Sequence, residues 1–184
     1  SGFKDAQEAL VRPALEGTRN VLDSVSRTQT VKRVVLTSSV VAIYGDNCES
    51  RDVPGGVFTD EHWNTTSSVE HQPYPYSKTV AEREAWRYQK AQDRWDMVTV
   101  HPGLVLGPSL TRASESASLA TMKQFTDGTL LAGAPELAMG VVDVRDVAEA
   151  HLRAGFTPEA HGRYIVNAES LTLLEIGKIL RRRF

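Results

Sequence analysis

The chain has 184 residues, and its 21 lysines and arginines nearly balance its 23 aspartates and glutamates, giving a formal net charge of −2. A chain of this length can bury a core without disulfides or metals, and the balanced charge gives no reason to expect nucleic-acid binding. The single cysteine excludes an internal disulfide, and no apolar run approaches the ~20 residues of a membrane span. We therefore expect a soluble, cytoplasmic protein with neither a nucleic-acid nor a membrane partner.

Helical and strand patterns alternate in the first half of the chain. They predict, in chain order, a helix over Asp5–Val25, a buried strand over Val34–Val41, a long loop over Gly45–Pro73, a helix over Pro75–Gln92 and a buried strand over Met97–Val100. Pro13 lies within the first helix and predicts a kink or a late start there.

Shorter elements continue this alternation in the second half. They are an apolar segment that turns over Leu104–Pro108, a helix over Ser116–Phe125, an extended segment over Val141–Val144, a helix over Val147–Phe156 capped by Asp146, a strand over Tyr164–Val166 and a helix over Leu173–Leu180. Strands that alternate with helices of this length indicate an α/β fold with a parallel sheet.

Tyr74 and Lys78 form a candidate proton-transferring pair. They are four residues apart at a predicted helix start, so their side chains share one face of the helix. A nearby ammonium favours the phenolate and lowers the pKa of a tyrosine, which then transfers protons closer to neutral pH. The bare spacing is common, and an ordinary surface pair is the alternative.

Polar residues follow both buried strands at their carboxyl ends, where open α/β sheets bind ligands. Thr37-Ser38-Ser39 follows the first strand, and a serine hydroxyl there can hold the oxygen of a carbonyl that gains charge. Capping of the strand end is the alternative, and we expect one of the two serines to do only that.

Pro102 ends the second strand and exposes neighbouring backbone groups that could bind a flat carboxamide. A plain strand terminator is the alternative there.

Five segments together resemble the extended short-chain dehydrogenase/reductases, and within them the dihydroflavonol reductase/cinnamoyl-CoA reductase branch with its related aldehyde and ketone reductases. The segments are Val35–Ser39, Tyr74–Glu82, His101–Pro108, Asp143–His151 and Gly162–Ile165. The resemblance extends from Asp5 to Phe184.

The resemblance implies a Rossmann-type, doubly wound parallel sheet, without its N-terminal βαβ units, and a small C-terminal substrate-binding region. Residues 1–108 would be the later part of the dinucleotide-binding domain, and residues 109–184 would mix the substrate-binding region with returning Rossmann elements. It also implies hydride transfer to the carbonyl of a small molecule by a monomer or homodimer, with NADP(H) favoured over NAD(H).

The resemblance also assigns roles to residues. Tyr74 would donate the proton, Lys78 would lower its pKa and hold the nicotinamide ribose, and Ser39 would bind the carbonyl oxygen. Ser39 is preferred to Ser38 because it aligns with the second serine of the family's motif. The residues expected at the cofactor are Thr37, Ser38, Tyr74, Lys78, Pro102, Gly103, Leu104 and Val105.

Two departures from the family pattern limit these expectations. No glycine-rich phosphate-binding turn occurs in the sequence, so either the pyrophosphate and adenosine sites lie upstream or the chain does not bind a dinucleotide in the usual way. Ala14 stands near the position where some members carry an asparagine, which puts an asparagine-supported proton relay in doubt.

Two other functions compete with carbonyl reduction. A nucleotide-sugar epimerase or dehydratase would use the same residues, and Tyr44-Gly45 fits that class, although the stretch from Leu110 to Gly140 offers only Arg112 and Lys123 as basic anchors. A non-catalytic NAD(P) sensor would have no use for the Tyr74–Lys78 pair. A metal is not expected, because the five histidines show no ligand spacing.

Overall fold

A computed structural model describes residues 5–110, 116–130 and 133–183. The helices are α1 (Arg12–Arg27), α2 (Pro73–Lys90), α3 (Ala117–Lys123), α4 (Val144–Phe156) and α5 (Leu173–Arg183). The strands are β1 (Arg33–Thr37), β2 (Asp96–Pro102), β3 (Leu104–Leu106), β4 (Ala138–Asp143), β5 (Gly162–Val166) and β6 (Glu169–Thr172). Within the described ranges, no helix combines the length and the apolar character needed to cross a membrane.

The chain divides into two units. The first contains the chain up to His101 together with His151–Ile165, and the second contains Pro102–Ala150 and the residues from Val166 onward. One sheet has the strand order β1-β2-β5, and the other has the order β3-β4-β6. Arg112, one of the two basic anchors considered above, lies outside the described residues.

The start of α1 explains how the helix tolerates its proline. A π-helical turn covers Gln7–Val11, and the regular helix begins at Arg12 with Pro13 in its first turn. Proline cannot donate an N–H, and the change from π-helical to α-helical hydrogen bonding falls directly beside it. Helical backbone already begins at Gln7, so the helix does not start late, and its irregularity near Pro13 is the π-helical turn before Arg12.

The core of the first unit lies between α1, α2 and the parallel strands β1 and β2. Its buried centre is Leu22, Ala85, Trp95 and Met97. Burial of each large apolar side chain contributes roughly 1.5–3 kcal/mol. The register of the strands pairs Arg33 with Asp96, and the two side chains also form a bidentate ion pair at 2.7 and 2.8 Å.

The long loop before α2 is ordered by its own contacts. The ring of Tyr44 stacks on Phe58 with centroids 4.8 Å apart. The buried Asn64 side chain donates to the carbonyl of Val41, 23 residues earlier. A side chain on Gly45 would lie 2.2 Å from the Thr66 hydroxyl, so this position is restricted to glycine by packing. The loop is therefore fastened to the turn that follows β1.

The second unit differs from its sequence prediction at two strands and one helix start. The segment Leu104–Leu106 is the strand β3, which runs parallel to β4, and the unpredicted β6 runs antiparallel to β4. Helix α4 begins at Val144, so Asp146 lies inside its first turn and does not cap it. The carboxylate of Asp143 accepts the N–H of Arg145 at 2.8 Å instead.

An apolar groove of about 550 Å³ lies between α3 and α5 in this unit. Met122, Phe125, Gly177 and Leu180 line it.

Candidate active site

Tyr74 and Lys78 lie one turn apart near the N-terminal end of α2, as the sequence predicts. The Tyr74 side chain is on the surface, with 52% of the residue exposed, and Lys78 is half-buried. No hydrogen bond or ion pair joins the Tyr74 hydroxyl or the Lys78 ammonium to another of the described residues. Both polar groups are therefore available to a ligand.

Burial shifts the two groups in opposite directions. It raises the pKa of Tyr74 above its ordinary value. It lowers the pKa of Lys78, an effect that the negative charge of Glu82 opposes. The net pKa of Tyr74 is therefore raised, because partial burial of the phenol dominates, and the lowering contribution expected from Lys78 stays a prediction. A tyrosine whose pKa is raised keeps its proton at neutral pH, as a proton donor must.

The two serines after β1 have different surroundings. Ser38 is buried, and its hydroxyl donates to Glu82 Oε2 at 2.6 Å. Ser39 is half-buried and begins the 3₁₀ turn Val40–Ala42, where its oxygen accepts the N–H of Val41 at 3.4 Å. That contact leaves the Ser39 O–H free to donate. The turn packs against α2, the helix that carries Tyr74 and Lys78.

Thr37, the last residue of β1, also has a hydrogen-bond partner within the chain. Its hydroxyl lies 2.7 Å from Nε2 of His151 in α4. The side chains of Thr37 and Ser38 are thus both engaged within the first unit. Their contact with a cofactor stays a prediction.

Glu82 is the residue that sequence reasoning missed. Only 1% of it is exposed, yet it remains ionised, because four side chains donate to its carboxylate. The donors are Ser38 Oγ at 2.6 Å and His101 Nε2 at 2.8 Å to Oε2, and Arg163 Nε at 2.8 Å and Trp86 Nε1 at 3.2 Å to Oε1. Burial raises the pKa of Glu82, but the hydrogen bonds and charges of these partners outweigh burial and bring the pKa to about 2.

His101 fills the end of β2 and is fully buried. Its Nε2 atom does bond Glu82, but its Nδ1 atom has no hydrogen-bond partner among the described residues. One ring nitrogen of this buried histidine is therefore left without a partner among the described residues.

The segment that enters α2 is held under strain. Gln72, directly before the helix, has a φ of +57°, which costs a residue other than glycine about 1–3 kcal/mol. Its side chain donates to Asp46, whose other oxygen lies 2.9 Å from Nε2 of His71. These bonds hold Gln72, the residue directly before the helix, two positions before Tyr74.

The remaining predicted site residues, Pro102 to Val105, belong to the second unit. The N–H of Gly103 donates to the carbonyl of Val166 at 3.2 Å, so this backbone group is not open as the sequence suggested. Leu104 and Val105 lie in β3, opposite Val141 and Val142 of β4. Contact of these four residues with a nicotinamide stays a prediction.

Gly103 has a packing reason to be glycine. A Cβ atom there would lie 2.4 Å from the carbonyl oxygen of Gly140, a backbone atom that cannot swing away. We expect Gly103→Ala to lower the free energy of unfolding by roughly 1–3 kcal/mol, the usual range for overpacking. Urea unfolding measures the loss.

The matched control is Gly17→Ala on α1, where a Cβ would meet nothing within 4 Å. Alanine is a better helix former than glycine, so this variant should be as stable as the parent or more so. A Gly103→Ala protein as stable as Gly17→Ala would contradict the close approach of the two backbones.

Comparison with known proteins identifies the family of this chain. Residues 4–168 match the NAD dependent epimerase/dehydratase family. Cinnamoyl-CoA reductase CAD2 of Medicago truncatula is 36% identical over 98% of this chain and 54% of its own length. An anthocyanidin reductase of Vitis vinifera is 31% identical over 98% of this chain and 56% of its own length. This chain belongs to the NAD dependent epimerase/dehydratase family.

The fold agrees with this assignment. The yeast methylglyoxal/isovaleraldehyde reductase Gre2, solved with NADPH, superposes with a TM-score of 0.83 at 28% identity, covering 100% of this chain and 57% of its own. The chain thus has a Rossmann-like α/β fold with parallel strands, and the resemblance to extended short-chain dehydrogenase/reductases is confirmed. The chain spans about half the length of the curated relatives that it matches.

Proposed function

We propose that the protein carrying this chain reduces an aldehyde or ketone to an alcohol, using NADPH in preference to NADH. The observation that carries the proposal is the pair Tyr74 and Lys78, whose polar ends have no hydrogen-bond partner among the described residues. The pair lies on α2, the helix that packs against the turn beginning at Ser39. Similarity to cinnamoyl-CoA and anthocyanidin reductases supports the reaction class, and the NADPH in the Gre2 structure supports the cofactor.

The residues present suit the reducing end of such a cofactor. An ammonium that is half-buried and has no hydrogen-bond partner among the described side chains is well placed to bind hydroxyls, so Lys78 would hold the nicotinamide ribose. Pro102, Gly103, Leu104 and Val105 would border the nicotinamide. NADPH, when bound, supplies the hydride that adds to the carbonyl carbon.

The protein's own groups then handle the carbonyl oxygen. Ser39 donates its free O–H to the oxygen and stabilises the negative charge that develops there. Tyr74 transfers its phenolic proton to the same oxygen, which completes the alcohol. The ammonium of Lys78 stabilises the tyrosinate that remains until a proton from solvent restores the phenol.

An isotope experiment tests the proposal. The protein is incubated with NADPH deuterated at the transferable position and with a panel of apolar and aromatic aldehydes and ketones. We expect one deuterium in the alcohol product, bonded to the former carbonyl carbon. Binding of NADPH without reduction of any member would contradict the proposal and favour the sensor.

A nucleotide-sugar epimerase or dehydratase is the competing proposal. Tyr44 and Gly45 have local packing roles, a ring stack on Phe58 and a crowded approach to Thr66, so the pair does not single out that class. Lys123, the basic anchor that the structure describes, lines the apolar groove between α3 and α5. UDP-sugars added to the same assay would reveal an epimer if this class were correct.

The rate of reduction should fall as the pH rises into the basic range. Lys78 must be charged to stabilise the tyrosinate, and burial lowers its pKa below the ordinary lysine value. Its proton is therefore lost earlier than that of a free lysine, and kcat falls as pH rises through this lowered pKa. A pH profile of kcat at saturating substrate measures the effect. A rate that stays constant to above the ordinary lysine pKa would contradict it.

A further inference from the structure

A buried cluster beneath the candidate active site joins elements that are distant in the sequence. The carboxylate of Glu82 in α2 binds Ser38 at the end of β1, His101 in β2 and Arg163 in β5. These are the three strands of one sheet, in the order β1-β2-β5. A single side chain thus fastens the helix to all three strands.

We infer that Glu82 is a positioning residue. It fixes the position of Tyr74 and Lys78 on α2 relative to Ser39, which lies two residues after the end of β1. The inference rests on the proposed function, since it assigns Glu82 a part in the same reaction. Glu82 touches neither substrate nor cofactor and acts through the residues it holds.

The first argument is the direct linkage. Glu82 is one turn from Lys78 and two turns from Tyr74, so the three share a face of α2. Its bond of 2.6 Å goes to Ser38, whose neighbour in the chain is Ser39. One hydrogen bond and one peptide unit therefore separate the helix of the proton donor from the hydroxyl that binds the carbonyl.

The second argument is that Arg163 also binds the loop that follows the turn Val40–Ala42 and approaches the turn itself. Its Nη1 atom donates to the carbonyls of Asp60 and His62 at 2.6 and 2.5 Å, and its Nη2 atom approaches the carbonyl of Ala42 at 3.5 Å. Ala42 ends the turn that starts after Ser39. The guanidinium also stacks over Trp63, with 3.8 Å between its carbon and the ring centre.

The third argument is energetic. A buried charge carries a large desolvation cost, and well-packed apolar residues often give equal or better stability. Stability alone thus gives a weak reason for a carboxylate here. Four donors occupy the acceptor positions of Glu82, which leaves the carboxylate one orientation. A carboxylate with all its acceptor positions occupied fixes the geometry around it, and a misplacement of about 1 Å in an active site can cost ~100-fold in rate.

The test uses Glu82→Gln in the protein that carries this chain. Glutamine keeps the volume but presents an amide NH₂ to donors that faced a carboxylate oxygen. We expect kcat per folded molecule to fall by about 100-fold, while KM and the Kd for NADPH change far less, because the lost geometry matters in the transition state. Circular dichroism gives the folded fraction.

The matched control is Glu84→Gln on the same helix. Glu84 also has a pKa of about 2, but its partners Arg87 and Arg19 are exposed arginines. Its kcat should equal that of the parent. Equal kcat values in the two variants would overturn the inference. If Glu82→Gln does not fold, Ser38→Ala removes one of the four bonds, and an unchanged kcat in that variant would overturn it equally.

Hydrogen exchange separates this inference from the proposed function. If the parent protein reduces no carbonyl, the proposed function fails, but the positioning role is still measurable. We expect faster exchange at Ser39–Ala42 and Tyr74–Lys78 in Glu82→Gln than in the parent and in Glu84→Gln. Unchanged exchange in both segments would overturn the positioning role whatever the reaction is.

Discussion

Replacing Tyr74 by phenylalanine is expected to lower kcat by roughly 10³-fold, within the range that a positioned proton donor contributes. The substitution removes one oxygen and keeps the ring. Because the hydroxyl has no hydrogen-bond partner among the described residues, its loss leaves no group within them unsatisfied. The free energy of unfolding should therefore stay within about 0.5 kcal/mol of the parent value.

Single-turnover kinetics with a carbonyl substrate measure the loss, and NADPH titration shows whether the cofactor still binds. Tyr76→Phe is the matched control, because Tyr76 lies two residues further along α2 and faces a different direction. It should turn over at the parent rate. If Tyr74→Phe retained full turnover, another group would have to supply the proton, and the proposed mechanism would be wrong.

The central residues of the candidate site were readable from the sequence because their signals are local. The four-residue spacing of Tyr74 and Lys78 guarantees a shared helix face once a helix is recognised. Ser39 follows an apolar β-rich run, and the carboxyl edge of a parallel sheet is where such a residue becomes useful. Neither inference needs knowledge of which strands are neighbours.

The Glu82 cluster could not be predicted from local sequence patterns in the same way. Its bond to Arg163 joins residues 81 positions apart, and its bonds to Ser38 and His101 depend on the strand order. Glu82 does lie one turn after Lys78, on the helix side that also carries the buried Ala85. An acidic residue beside a buried position was a signal that the carboxylate has internal partners.

Other differences arose where tertiary contacts override local pattern. The strand β6 has the sequence Glu-Ser-Leu-Thr, which has little strand character by itself and is paired by β4. The pKa of Tyr74 depends on how much of the phenol the fold covers, and the spacing to Lys78 does not reveal that. Spacing predicts which side chains share a helix face, while the surroundings in the fold set their pKa values.

Replacing Arg163 by methionine is expected to lower the free energy of unfolding by about 3–5 kcal/mol, the usual cost of removing one partner from a buried ion pair. Glu82 would keep its charge while losing one donor and the nearest permanent positive charge. The carbonyls of Asp60 and His62 would lose their donor as well. Methionine fills a similar volume, so the loss reports polar contacts more than packing.

Urea unfolding of the variant measures this loss, and Arg87→Met on α2 is its control. Arg87 also pairs with a glutamate, but 64% of its side chain is exposed, so its removal should cost far less. Equal losses would mean that the Glu82–Arg163 pair behaves like a surface pair.

The pH dependence of the free energy of unfolding gives an independent test of the Glu82–Arg163 pair. Glu82 has a pKa of about 2 in the fold, below its ordinary value of 4.5, so the stability it contributes is present above pH 4.5 and is lost as pH falls toward 2. Without Arg163 the folded pKa of Glu82 rises toward the unfolded value. The variant should therefore lose less of its remaining stability between pH 4.5 and 2 than the parent does. A parallel acid dependence in the two proteins would show that Arg163 does not set the ionisation of Glu82.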